Sequence, residues 1–215
     1  GAVAIGFADP TLKILIRASH GFHVMEGLTL EITKCEGNRI FEFNHQPAWK
    51  VLINTLGLPE TAQPMDVLIL TAFATILPEE FTEEYNSKYI LFGIVGRNED
   101  NSIMVPVTCQ KGLKIWLTKR DEKKMFDGVD QQVQRLLDFL KGKKTMAVFH
   151  ADCVLRGRFS LNRILKDEII NRMQFPICQG DKIPWLGLYS GGEFAMIGKR
   201  NFLHLITSTL SVLYR

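Results

Sequence analysis

Thr145-Met146-Ala147-Val148-Phe149-His150 decides the fold class, because this apolar run opens the part of the chain in which predicted strands and helices alternate. A predicted helix from about Leu161 to Met173 follows it, and two further strands, Trp185–Ser190 and Leu203–Leu213, complete a βαββ order. Elsewhere the predicted strands succeed one another in meanders. This distribution is typical of an α+β fold, in which mixed or mainly antiparallel sheets carry helices packed on one face.

The two predicted meanders consist of short runs rich in β-branched and aromatic residues, with turn residues between them. The first meander has predicted strands at Val3–Phe7, Leu12–Ala18, Leu28–Thr33 and Arg39–Phe43. Gly37-Asn38 predicts a hairpin turn between the last two of these strands. The second meander has predicted strands at Tyr89–Val95, Ser102–Val107 and Gly112–Leu117, with a polar turn at residues 98–101.

Two further segments have helical periodicity. One begins at Pro47, which suits a first helical turn, and its apolar residues repeat at helical spacing until Gly57. The other places its apolar residues on one face from about Met125 to Leu140. The segment from Leu58 to Pro78 is predicted to be a connector, with one apolar stretch that fits either a strand or a helix.

The composition is that of an ordinary globular protein, with 215 residues, 46% hydrophobic and 23% charged, and a net charge of +3. The basic clusters lack interleaved aromatic residues, so we expect no nucleic-acid partner. The longest apolar run, Val67 to Leu77, is too short to cross a bilayer and no leader opens the chain, which predicts neither membrane insertion nor secretion. Because the first residue is Gly1, we expect the natural protein to extend further.

The four cysteines and five histidines form no metal-ligand spacing. We therefore predict no metal ion, no cofactor, and reduced thiols in a cytoplasmic protein. His20 and His23 fall in a predicted loop, where we expect solvated side chains.

Two motifs near the end of the chain occur together in a known family. They are His150-Ala151-Asp152-Cys153-Val154-Leu155-Arg156-Gly157 and Pro184-Trp185-Leu186-Gly187-Leu188-Tyr189-Ser190-Gly191-Gly192-Glu193-Phe194. With the Thr-rich run Thr207–Leu213, they resemble the C-terminal module of FIST (F-box and intracellular signal transduction) domains. In that module Cys-x-x-Arg-Gly follows a strand and a Gly-Glu segment comes later. Members usually carry an Asn just ahead of the last strand, and His204-Leu205-Ile206 offers none there.

Upstream segments extend the resemblance over nearly the whole chain. Three of them are similar to the end of the companion N-terminal FIST module: Ser19-His20-Gly21-Phe22, Gly37-Asn38-Arg39-Ile40 and Gln46-Pro47-Ala48. In the middle, Val95-Gly96-Arg97 and Asn101-Ser102-Ile103 stand where members carry an arginine and a small-residue turn. The resemblance implies that residues 1–60 end the N-terminal module and that residues 61–215 form the C-terminal module, with the boundary near residues 57–64.

A FIST resemblance implies an intracellular sensory domain without catalytic activity. Such a domain binds a small ligand, such as an amino acid or related metabolite, and acts through a fused or associated signalling output domain. An amino acid needs a planar cation for its carboxylate and a carboxylate for its ammonium group, and Arg156 and Glu193 can supply them. Gly191 and Gly192 lack the Cβ atoms that would keep a ligand away.

We therefore expect one ligand site at a sheet end, formed by Cys153, Arg156, Tyr189, Ser190 and Glu193, with Arg97 contributed by the other meander. The alternative is that Arg156 and Glu193 pair with each other to brace the strands, and that the two glycines only make a turn.

Two other functions remain open from the sequence. An enzyme could use Cys153 beside His150, but an extended strand would point these side chains to opposite faces. A protein-interaction module could dock a partner, or a second copy as a homodimer, through an edge strand between Leu203 and Tyr214.

Overall fold

A computed structural model describes residues 4–156 and 163–215, with side chains from residue 170 onward in the second range. Its described helices are α1 Ala48–Leu56, α2 Pro64–Leu70, α3 Glu79–Tyr85, α4 Glu122–Leu140 and α5 Arg163–Cys178. Its described strands are β1 Lys13–His20, β2 Phe22–Glu36, β3 Arg39–Phe43, β4 Gln46–Pro47, β5 Phe73–Ile76, β6 Tyr89–Phe92, β7 Gly96–Arg97, β8 Ile103–Met104, β9 Lys114–Arg120, β10 Thr145–Cys153, β11 Trp185–Ser190, β12 Glu193–Ile197, β13 Arg200–His204 and β14 Thr207–Tyr214.

The smaller of the two main sheets has the strand order β1-β14-β10-β11. Strand β14 is antiparallel to both β1 and β10, whereas β10 and β11 are parallel. Parallel neighbours need a crossover connection, and α5 lies in it. Helices α4 and α5 cover one face of this sheet, over an apolar core that includes Val129, Leu136, Val148, Met173, Leu210 and Val212.

The larger sheet has the order β6-β5-β9-β2-β3-β8-β7, with β4 paired to β3. Helices α1 and α2 pack on it, because their apolar residues and those of the strands form one buried core. That core includes Ile32, Phe43, Trp49, Leu52, Val67, Phe73 and Ile103. It draws residues from both sides of the domain boundary expected near residues 57–64, and that boundary stays a prediction.

Gly21 carries the chain directly from the smaller sheet to the larger one, between β1 and β2. Helix α4 lies so close to this point that a Cβ atom on Gly21 would stand 2.4 Å from the Cβ of Met125. Real Cβ atoms do not approach that closely, so only glycine allows this packing. The two-stranded hairpin β12–β13 lies near the same junction, where Ile197 packs against Phe81 and Tyr85 of α3.

The α+β fold class, with helices on sheet faces, is confirmed, as are most of the predicted elements. The hairpin turn at Gly37 has a φ of 56°, and Gly57 ends α1 with a φ of 66°, in the left-handed region that glycine adopts readily. The segment from Leu58 to Pro78 contains both α2 and β5. Val3, Gly157 and the predicted first residues of α5, Leu161 and Asn162, lie outside the described residues.

Several predicted strand bounds are wrong. Residues 4–7 form no strand. Within Ser102–Val107 only β8 is a strand, because Pro106 has no N–H to donate to a ladder. The run Leu203–Leu213 is divided between β13 and β14 at Ile206, which has a φ of 57°. Helix α3 and strands β7 and β12 were not expected from the pattern.

The edge strand expected between Leu203 and Tyr214 is a wrong prediction for the part that forms β14, whereas Leu203 and His204 belong to β13 of the two-stranded sheet. Strand β14 is internal, because β1 and β10 pair with its two sides. Its backbone is therefore not free to pair with a partner or with a second copy. Among the residues that the structure describes, no helix is both long and apolar enough to cross a bilayer.

Candidate functional site

A buried ion pair lies where β10 ends. The turn after β10 brings Arg156 back to Asp152, and the Arg156 Nε atom lies 3.4 Å from the Asp152 Oδ1 atom. Arg156 also donates from one terminal nitrogen to the backbone oxygen of Ser19, at 2.8 Å. Its side chain is fully buried and that of Asp152 nearly so. A buried charge without a partner is costly, so Arg156 keeps both of these contacts. Together the two contacts fix the end of β10 against β1.

Glu193 is buried beside this pair, at the start of β12. The turn of Gly191 and Gly192 folds β12 back, so that the Ser190 hydroxyl donates to a Glu193 carboxylate oxygen. Burial raises the pKa of Glu193 to about 7; Ser190 and Arg156 oppose this shift, and Asp152 adds to it. Glu193 therefore gains and loses a proton near neutral pH.

A cavity lies on the face of the smaller sheet that α5 covers. Every second residue of β11 lies on this face: Trp185, Gly187 and Tyr189. Opposite them, β10 places His150 beside Gly187 and Asp152 beside Tyr189. Because Gly187 has no side chain, a space remains between the two aromatic residues. We call this cavity of about 250 Å³ the Gly187 slot; its lining includes His150, Asp152, Gln174, Trp185, Gly187 and Tyr189.

The histidine of the slot is neutral at neutral pH. Burial, with a smaller contribution from the charge of Arg156, lowers the pKa of His150 to about 4. Its Nε2 atom lies 3.0 Å from the Ser208 hydroxyl, and its ring meets the Trp185 ring edge to face. The slot is therefore a mainly aromatic cavity whose acidic group is the buried Asp152 carboxylate.

The FIST C domain family model matches residues 48–196, which include α1 through most of β12. The chain belongs to the FIST C domain family. No curated protein and no solved structure matches it. Family membership supports a sensory role in signal transduction. The resemblance of residues 1–60 to the N-terminal FIST module stays a prediction.

Most of the residues predicted for the FIST ligand site do converge. Cys153, Arg156, Ser190 and Glu193 lie together around the ends of β10 and β11 and the start of β12, and Tyr189 lines the neighbouring slot. The buried ion pair of Arg156 is with Asp152 rather than with Glu193. Arg156 and Glu193 are buried and do not line the slot, whereas the buried Asp152 does.

Arg97 does not join the cluster, and this expectation was wrong. It lies on β7, the terminal strand of the larger sheet. Its guanidinium group stands 4.9 Å from the centre of the Trp49 ring and donates to the Asn101 side chain at 3.0 Å. These contacts hold it at an exposed sheet edge.

The two glycines of the turn differ in the space beside them, and a contact of either with a ligand stays a prediction. A Cβ atom on Gly192 would stand 3.0 Å from a methyl carbon of Leu205, so this position is occupied by packing. A Cβ atom on Gly191 would meet nothing within 4 Å. The pair serves the turn between β11 and β12, as the alternative interpretation proposed.

Cys153 and His150 lie on opposite faces of β10, as the strand period predicts. Cys153 belongs to the core under the larger sheet, and burial raises the pKa of its thiol. His150 lies on the face covered by α4 and α5. A direct thiol–imidazole pair is therefore not formed.

His20 is another correction, because it is not a solvated loop residue. It ends β1, and its Nε2 atom lies 3.0 Å from the Ser87 hydroxyl. Burial lowers its pKa to about 4. His204, which is fully buried, shows the same shift to about 4 for the same reason.

Sequence reasoning missed Asp152 as a residue of the candidate site, although two signals point to it. It is the acidic residue in a run, Thr145–Cys153, that is otherwise mostly apolar. It also stands four residues before Arg156, a spacing that the turn after β10 converts into an ion pair.

Proposed function

We propose that this FIST C domain is a non-catalytic sensory module that binds a small ligand with an ammonium group, such as an amino acid, in the Gly187 slot. One observation carries the proposal: two aromatic residues flank a cavity that also contains a buried carboxylate. Aromatic faces and a carboxylate are the groups that recognise organic cations in proteins. Small-molecule sites commonly have volumes of about 300–1,000 Å³. A cavity of about 250 Å³ therefore favours a ligand of few atoms.

Asp152 is the group proposed to accept the ammonium group. Burial raises the pKa of this carboxylate, and Arg156 opposes the shift. A cation in the slot would offset the cost of burying the charged form, so ligand binding and ionisation of Asp152 favour each other. Gln174 of α5 also lines the slot and offers an amide to a ligand carboxylate.

The ion pair provides a route from the slot to the junction of the two sheets. A ligand that attracts Asp152 competes with Arg156, and Arg156 holds the backbone of Ser19 at the end of β1. Two residues later, Gly21 leads into the larger sheet. In this proposal the ligand shifts the population of arrangements at the junction, and an associated output domain in the cytoplasm reads the shift.

The first test is a thermal-unfolding screen of the chain against matched ligand pairs, each an amino acid and the 2-hydroxy acid with the same side chain. A ligand that binds the native state raises the melting temperature. We expect shifts with amino acids but not with their hydroxy analogues. Shifts of equal size for both members of each pair, or none for any pair, would contradict the proposal.

The site is tested with two variants that differ in mechanism. Asp152→Asn removes the charge at nearly constant shape, whereas Gly187→Leu fills the slot and leaves Asp152 in place. Both should abolish the shift caused by a hit. Glu60→Gln, which changes an exposed carboxylate outside the slot, is the control and should bind as the parent does. A hit that survives Gly187→Leu in a folded variant binds elsewhere.

A further inference from the structure

A second cavity lies at the opposite edge of the smaller sheet, along β1. Its walls are the end of α3 with residues 84–87 and one side of α4 between Lys124 and Arg135, and its volume is about 280 Å³. We call it the α3–α4 cleft. It shares no lining residue with the Gly187 slot. The cleft is therefore separate from the site proposed above.

The basic residues that line the cleft outnumber its acidic residues. Its charged lining residues are Arg17, Glu84, Lys124, Asp127 and Arg135. Each carboxylate already has a cationic partner: Glu84 lies 3.2 Å from Arg17, and Asp127 lies 3.7 Å from Lys123, which is outside the lining. Lys124 and Arg135 therefore contribute positive charge that these acids do not compensate.

The two arginines of the cleft repel each other. Burial lowers the pKa of Arg17, Glu84 opposes this change, and Arg135 lowers it further. The terminal nitrogen of Arg135 donates to the backbone oxygen of Glu83 at 2.6 Å, which supplies no negative charge. An anion between the cations would relieve this repulsion.

Neutral hydrogen-bonding groups line the rest of the cleft. The Gln131 side-chain oxygen accepts from Asn86 at 2.8 Å, so the Gln131 amide nitrogen is the group left to donate. The Ser87 hydroxyl also lines the cleft and already donates to the backbone oxygen of Tyr89 at 3.1 Å. Gly128 adds no side chain, because its Cβ position is only 3.2 Å from the backbone oxygen of His20. A small polar molecule therefore meets cations and amide donors in one cavity.

We propose that the α3–α4 cleft binds a small anion through a carboxylate or phosphate group held by Arg135 and the Gln131 amide, which are four residues apart on one face of α4. Lys124, about 16 Å away along the same helix, adds to the positive potential of the cleft. Guanidinium and ammonium groups bind both kinds of anion by charge-assisted hydrogen bonds, so the shared chemistry is a compact oxyanion. The Gln131 amide completes the set of donors.

The test is a titration of the full chain, isotopically labelled, with inorganic phosphate in one series and succinate in another, at constant ionic strength. Binding is read from amide chemical shifts. We expect saturable shifts at Ser87, Gly128 and the side chain of Gln131. Saturation with phosphate alone identifies a phosphate-bearing ligand, and saturation with succinate alone a carboxylate. No saturable shift at these residues with either anion overturns the proposal.

The variants separate this site from general surface charge. The double variant Lys124→Gln/Arg135→Gln should weaken binding by about tenfold or more, since it removes the charged donor and a second positive charge of the cleft. The charge-matched control is Lys50→Gln/Lys111→Gln, which neutralises two exposed lysines outside the cleft. If the control weakens binding as much as the cleft variant does, the anion responds only to net charge and the site is refuted.

Discussion

Replacing Gly187 with alanine should stabilise the protein and weaken ligand binding at once. The added Cβ atom would lie 3.7 Å from the Trp185 Nε1 atom and 3.8 Å from the His150 backbone oxygen, which are ordinary contact distances. The φ of Gly187 is not among the positive values, so alanine fits the backbone. The methyl group nevertheless enters a cavity of about 250 Å³ that has to hold the ligand.

The size of the stability effect comes from the unfolded chain. Glycine inside a strand is less stable than alanine by about 0.5–1 kcal/mol, because it loses more backbone entropy on folding. For a chain of this length each kcal/mol changes the melting temperature by about 2–4 °C. Gly187→Ala should therefore raise the melting temperature by about 1–4 °C without ligand.

The assay is thermal and urea unfolding of the parent and Gly187→Ala, followed by titration of both with an amine hit from the screen. A lower free energy of unfolding for the variant would refute the packing argument. Unchanged affinity in both Gly187→Ala and Gly187→Leu would refute the placement of the ligand. Gly21→Ala is the matched control, because its Cβ atom would stand 2.5 Å from the Met125 Cα atom. That variant should lose about 1–3 kcal/mol or more from overpacking.

Three other predictions concern the buried charges. Arg156→Ala should lower the free energy of unfolding by about 3–5 kcal/mol, because it leaves Asp152 buried without its partner. The control Lys123→Ala, at an exposed ion pair, should change the free energy of unfolding little. Equal losses in the two variants would refute the role of the buried pair. The raised pKa of Glu193, from 4.5 to about 7, means that its contribution to stability is present below pH 4.5 and is lost as pH rises through 7. Between about pH 4.5 and pH 7 the parent should therefore lose up to about 3 kcal/mol of unfolding free energy relative to Glu193→Gln. Urea unfolding of both chains over this pH range measures the difference, in which the histidine contributions cancel. Parallel curves of unfolding free energy against pH would contradict this prediction. Ligand affinity in the slot should fall as the pH is lowered and Asp152 is protonated. Calorimetric titration over a pH series measures this change. An affinity independent of pH would exclude Asp152 as the acceptor.

Local sequence signals predicted the helices and strands whose ends are marked by a proline or a glycine. Helix α1 begins after Pro47 and ends at Gly57, and the β2–β3 hairpin turns at Gly37, because these residues have restricted or permissive backbones. Helix α4 was predicted from its long apolar face. Short elements such as α3 and β12 lack such marks, and tertiary contacts of Phe81 and Ile197 hold them in place.

The candidate site was predictable only in part, because it depends on pairing between distant strands. The convergence of Arg156, Ser190 and Glu193 followed from their positions at strand ends. The Gly187 slot depends on the parallel register that places His150 beside Gly187, and no local pattern specifies a register between strands separated by a helix. Arg97 was misplaced for the same reason, since its strand joins the far end of the larger sheet.

The most direct test of the sensory proposal is to map an amine hit onto the labelled chain by chemical shift. The account predicts that the largest changes occur at the Trp185 indole N–H and the backbone amides of Gly187 and Tyr189, with smaller changes at Ser19 beyond the ion pair. Changes confined to residues outside the slot, with these three signals unmoved at saturation, would contradict it.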